Sequence, residues 1–275
     1  MLTELSESEA TGEIARIFAE IRQLYATPYV SSIHRHMATR PGVLEWAWGS
    51  VAPAFRDGRG PETGWRIAAD AALAPIPTIP AASLRVWGVG PGDAATVAAI
   101  AESFTRVAPV NLVFGGLVRS LLQGHSPGGG SVSPKLWTPP PALAPPPPMV
   151  DAASLGDNGR ALLELFRSGT GASAFVPGLY RMLARWPGLL AHLAVELGPR
   201  FAAPETLDVA RDLLARTDAA VASILASLPT PPAGLPPAPD AAEAAHLAAM
   251  IDNYRKTSPE MILFGRLIRE AVSGN

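Results

Sequence analysis

Residues 28–42 read PYVSSIHRHMATRPG, and residues 174–188 read AFVPGLYRMLARWPG. Laid side by side, Tyr29 falls on Phe175, Val30 on Val176, Arg35 on Arg181, Ala38 on Ala184 and Pro41-Gly42 on Pro187-Gly188, each 146 positions on. The same spacing carries Pro53 onto Pro199 and Phe55 onto Phe201. A second pair, PVNLVFGGLVRSLLQG (109–124) and PEMILFGRLIREAVSG (259–274), sets Phe114-Gly115 on Phe264-Gly265 and Arg119 on Arg269. The chain reads as a tandem duplication, and self-similarity settles an architecture before local patterns do. The expected division is a first helical repeat over 1–124, a Pro/Gly-rich linker over 125–149 and a second helical repeat over 150–275.

Composition narrows the functional classes. The net charge of −2 gives no electrostatic footprint for nucleic acid. With no cysteine, thiolate nucleophiles, disulfides, Cys-ligated metals and Cys-x-x-Cys redox chemistry are excluded. The opening MLTELSESEA is acidic and polar, unlike a signal peptide. Outside the Pro-broken linker, no uncharged apolar run reaches the ~18 residues of a bilayer span. The expectation is a soluble cytoplasmic protein without nucleic-acid or membrane partners; its oligomeric state is left open, a homo-oligomer included.

Periodicity gives helices throughout. Ile14, Ile17, Phe18, Ile21 and Leu24 form one apolar stripe over 7–26, with Ser6 or Ser8 available as a cap. Pro28 opens a helix to about Thr39, which ends before Pro41 because a residue preceding proline avoids α geometry. Further helices are expected at 42–56, 62–74, 81–87, 91–106 and 109–124. In the second half they fall at 156–168, 175–185, 188–202, 205–227, 240–256 and 259–273. The linker, with GGGS and PPPP, suits a spacer that is part flexible and part polyproline II. No alternating β pattern occurs, so the class is all-α.

The TPYV…R…ATRPG…W segment, the proline-led helices, the Pro-rich connector ending in MVDA (149–152) and the later RWP resemble the DehI family of group I 2-haloacid dehalogenases. More distantly the repeat looks like AhpD-type helical folds, without their cysteine pair and hence without their redox chemistry. The resemblance implies a pseudo-two-fold dimer within one chain, its repeats enclosing a cavity for a short 2-halocarboxylic acid. It implies no cofactor. In the family reaction a carboxylate activates a water that attacks the α-carbon and expels halide with inversion, with no covalent ester.

Carried over residue by residue, the family's aromatic wall falls at Tyr29 and a second wall position at Ser32. The water-positioning asparagine falls at Ala108, the serine beside the acid at Gly178, and the catalytic aspartate at Leu179. No Asp or Glu lies between Glu164 and Glu196. The resemblance therefore implies the fold more strongly than the reaction.

Local candidates remain. His36, one turn beyond Ser32, is either a replacement base, since histidine titrates near neutrality, or a core or surface histidine. His34 points elsewhere, and i, i+2 spacing gives the two histidines no shared face for a metal, so none is expected. Asn111, one turn after Ala108, either supplies the missing amide or satisfies a buried carbonyl. Arg35 and Arg181 suit either carboxylate binding or ion pairs. Tyr29, Ser32, Gly178 and Leu179 are the expected substrate walls. A hydrolase with altered machinery and a non-catalytic binder of a small carboxylic acid both fit.

Overall fold

The computed structural model describes residues 3–131, 137–168 and 175–273. Among these the regular elements are helical: α1 (Gly12–Tyr25), α2 (Ser32–Met37), α3 (Val43–Arg56), α4 (Arg59–Asp70), α5 (Ala81–Val86), α6 (Pro91–Leu122), α7 (Asp157–Glu164), α8 (Gly178–Leu183), α9 (Pro187–Leu197), α10 (Pro204–Ser227) and α11 (Ala241–Ser273). One isolated antiparallel bridge joins Ser168 to Phe175. The all-α class holds.

The stripe on α1 is buried as its spacing requires: Ile17, Phe18, Ile21, Leu24 and Tyr25 all face inward. The expected cap does not form. Thr11 precedes the helix without a side-chain bond to it, and Ser6 Oγ instead donates to Glu9 at 2.5 Å. The helix expected over 28–39 is confined to Ser32–Met37; residues 27–31 precede it as a non-helical segment that bends at Pro28 and Tyr29.

The largest departure concerns the long helices. Breaks were expected before Pro109 and Pro259, yet α6 and α11 run through both prolines. An interior proline removes one N–H and crowds the preceding turn, at a cost of about 3 kcal/mol. Burial of Pro109 and Pro259 in helix contacts offsets that cost.

These two helices form the antiparallel spine. Arg119 pairs with Asp252 at one end, and Arg269 with Glu102 at the other. Between them, Gly115 lies against Ile251, while Gly265 faces Thr105 and the carbonyl of Ala101. A Cβ on Gly265 would stand 2.9 Å from Thr105 Cγ2, so glycine sets how closely the helices approach. Each contact has a counterpart 150 residues on: Arg119 and Arg269, Glu102 and Asp252, Gly115 and Gly265, Ala101 and Ile251.

Two apolar cores flank the spine, and each draws on both ends of the sequence. One joins Ile17, Trp48 and Phe55 with Phe114 and Leu117 of α6, Val221 of α10 and Ile251 of α11. The other joins Ile67, Leu84 and Ile100 with Leu179, Leu193 and Leu267. Within each sits a ring cluster. Tyr25, His34, Phe55 and Phe114 make the first; Phe166, Tyr180, Phe201 and Phe264 make the second.

The described part of the linker has no regular structure but is docked. Gly128 and Gly130 donate backbone bonds to Leu225 O and Leu228 O at the end of α10. A Cβ on Gly128 would meet Ala226 O at 2.0 Å, which explains the glycine by close approach rather than by flexibility. Residues 132–136 lie outside the described residues. Trp137 packs on Trp65 and donates to Glu62.

Candidate functional site

The non-helical residues 27–31 bring Tyr29 and Ser31 against α6. Tyr29 Oη is 3.5 Å from both the carbonyl and the hydroxyl of Ser103, and burial pushes its pKa up to about 12. Asn111 Nδ2 donates to Ser31 Oγ at 3.0 Å. Asn111 Oδ1 is buried without a protein partner. Ser32 lies beside the hydroxyl of Tyr254 on α11, whose pKa is raised first by burial and then by the charge of Glu4, with Ser32 and Arg35 acting the other way. Tyr29, Ser31, Ser32 and Asn111 thus make a polar wall over α2 and α6.

The other expected wall positions are apolar. Leu179 is 0% exposed and shares a core with Ala108, which is 5% exposed. Gly178 opens α8 with the Phe104 ring 3.1 Å from where a Cβ would stand. A serine there would press on that ring, which would have to shift by a few tenths of an ångström.

His36 is not bonded to this wall. Its Nδ1 donates to Thr3 O at 2.8 Å, and its ring lies 5.8 Å from that of His246. His246 meets Arg40 at 3.0 Å, and Arg40 pairs with Glu243. Nε2 of His36 is buried without a protein partner. Arg35 forms an ion pair with Glu4, which accounts for it without a ligand. The described residues include no cluster able to hold a metal ion.

Sequence reasoning missed four groups. Ser31 and Ser103 are small hydroxyl residues whose neighbours are 80 and 74 positions away. Tyr180 and Glu260 meet only through the approach of α8 to α11. Burial raises the Glu260 carboxyl, and Ser168 Oγ donates to it at 2.5 Å. No carboxylate was expected near the α8 wall; Glu260, 81 positions beyond Leu179, provides one beside Tyr180.

His34 supplies a pH test of the core. It is 0% exposed, Nε2 contacts Tyr25 Oη at 3.2 Å, and burial lowers its pKa to about 3. A folded pKa below the unfolded ~6.5 means that the unfolded chain takes up the proton first. Stability should be level above about pH 6.5 and fall below it, with a limiting slope of about 1.4 kcal/mol per pH unit from this residue. Urea titrations of wild type and His34→Phe between pH 7 and 4.5 check this; the variant should lose that component of the slope.

No protein-family model matches the sequence. One curated relative, an (R)-2-haloacid dehalogenase of Pseudomonas putida, is 33% identical over 60 residues, spanning 20% of either chain. Solved structures match far more of it. A D-2-haloacid dehalogenase in complex with L-LA superposes with a TM-score of 0.73 at 19% identity, covering 99% of this chain and 96% of that one. A mutant of a D-2-haloacid dehalogenase with D-2-CPA gives 0.65 at 18%, covering 99% and 94%. The chain has the DehI-like, all-α fold of the D-2-haloacid dehalogenases.

Proposed function

We propose that this protein is a DehI-type tandem repeat that binds a short 2-substituted carboxylic acid between its halves and hydrolyses 2-haloacids only through altered machinery. The 150-residue offset shared by the spine contacts supports a pseudo-two-fold arrangement. The likeness to 2-haloacid dehalogenases supports the ligand class. One observation carries the site: Asn111, held by Ser31, presents a buried Oδ1 without a protein partner beside the Tyr29 wall. Leaving such an acceptor unpaired costs roughly 1–3 kcal/mol, which a bound water or ligand donor would recover. His36 is assigned to holding the N-terminal segment through Thr3.

Leu179, Ala108 and Gly178 favour binding over fast turnover, so a non-catalytic small-carboxylate binder is the second reading. The protein is taken as soluble and cytoplasmic. α6 is long and apolar enough to cross a bilayer by length and composition, but 61% of its apolar window is buried inside the fold.

Thermal-shift titration with lactate and 2-chloropropionate, alongside halide release, tests the reading. Wild type should be stabilised by both acids. Its halide release should be at least ~10²-fold slower than that of a D-2-haloacid dehalogenase assayed in parallel, the usual worth of a positioned base. Asn111→Leu should abolish the ligand-induced shift while retaining a cooperative melt. Absence of both shift and halide release in wild type would overturn the assignment.

A further inference from the structure

The wall at the start of α2 is polar in one half of the chain only. At the offsets of 146 and 150, Tyr29 corresponds to Phe175, Ser31 to Pro177, Ser32 to Gly178, Asn111 to Met261 and Tyr254 to Phe104. The contacts correspond as well as the positions. The Tyr254 hydroxyl hydrogen-bonds Ser32, and the Phe104 ring lies 3.1 Å from where a Cβ on Gly178 would stand. Equivalent places are thus filled by apolar residues in one half and by five hydrogen-bonding side chains in the other. Packing does not require the polar set.

These five residues are half-buried, while their chain neighbours Val30, Ile33, Val110 and Leu112 are fully buried. Solvent therefore reaches this strip of hydroxyl and amide groups. Tyr29 Oη faces the carbonyl and hydroxyl of Ser103 at 3.5 Å, and Tyr254 is met by Ser32. Asn111 is only half satisfied. Its Nδ2 donates to Ser31 Oγ at 3.0 Å, which holds the amide in one orientation and leaves Oδ1 buried without a protein partner. An amide oxygen can only accept a hydrogen bond. A halogen on carbon brings no proton to it; a hydroxyl does.

We propose that this wall selects short 2-hydroxycarboxylic acids over 2-haloacids, the C2 hydroxyl donating to Asn111 Oδ1. The inference rests on the ligand reading above and names the C2 substituent that the site prefers. Ser31 is a positioning residue: it takes the amide N–H and so fixes the oxygen toward the ligand. A site built to receive a hydrogen bond discriminates against an analogue without the donor, because its own polar group is then left unpaired. The wall hydroxyls of Tyr29, Ser32 and Tyr254 can turn to donate or to accept, so they carry less of the selection.

Dissociation constants of lactate, 2-chloropropionate and propionate, from thermal-shift titrations of the full chain, test this. Lactate should bind wild type at least ~10-fold more tightly than either of the others. Propionate controls for size, since it has neither hydroxyl nor halogen at C2. Ser31→Ala frees the amide to turn, and the preference should shrink to within about 3-fold, whereas Ser31→Thr keeps the hydroxyl and should keep the preference. Asn111→Met copies the equivalent Met261, a residue this packing already accepts, and should bind lactate no better than propionate. Equal binding of lactate and 2-chloropropionate by wild type would overturn the selection and leave Oδ1 to a water. An undiminished preference in Ser31→Ala or Asn111→Met would overturn its assignment to this amide. Wild type that binds none of the three acids removes the ligand reading itself.

Discussion

Leu179→Asp is expected to weaken the fold severely rather than restore a dehalogenase. Leu179 is 0% exposed, surrounded by the core that holds Ala108, Leu183 and Phe264. An unpaired charge at such a place costs about 3–5 kcal/mol. At roughly 2–4 °C per kcal/mol for a chain of this size class, Tm should fall by at least ~6 °C. The deficit should narrow as pH falls, because the protonated carboxyl is cheaper to bury. Adding Ala108→Asn offers one hydrogen-bond partner but places a second polar group in the same core. Thermal melts of both variants at pH 5 and 8 decide the matter. A variant as stable as wild type at pH 8 would mean that solvent or a hidden partner reaches this position.

The second large effect concerns dividing the chain. Residues 1–124 and 150–275, produced separately, should each lack a cooperative unfolding transition, and co-expression should restore one. The reason is the exchange of core residues across the spine. Removing 150–275 strips Val221, Leu247 and Ile251 from the core around Phe55. Removing 1–124 strips Ile67, Leu84, Val97 and Ile100 from the core around Leu193. It also removes the carbonyls of Ala68 and Ala71 that receive Arg266. Loss of four buried aliphatic side chains, at about 1.5–3 kcal/mol each, is comparable with the whole stability of a typical domain, about 5–15 kcal/mol. Circular dichroism and denaturant titration of each piece provide the measurement. A cooperative transition in 1–124 alone would show that the cores are separable.

The candidate site was legible in part. Tyr29, Ser32 and Asn111 were singled out from matched positions and helical spacing, and they lie with Ser31 where the start of α2 meets α6 and α11. The partner of Asn111 was hidden because Ser31 has no motif of its own; its role comes from lying where the segment before α2 meets α6. His36 shares a helical turn with Ser32, yet a turn can face an N-terminal segment as readily as a cavity. What turned it was Thr3, a contact across 33 positions.

The sequence by itself determined the helical class and most of the helix faces, and it suggested the match of Phe114-Gly115 to Phe264-Gly265. These are local or self-referential properties, set by side-chain period, proline placement and glycine at a close approach. Tertiary structure alone decided whether Pro109 and Pro259 end a helix or sit inside one. Isolated, each proline favours a break. Burial in the α6–α11 spine outweighs that preference, since a long helix packed along its length gains more apolar contact than a broken one. The same packing decided which of the chain's few buried polar groups lie beside one another. That is a matter of distance in space, which residue order does not encode.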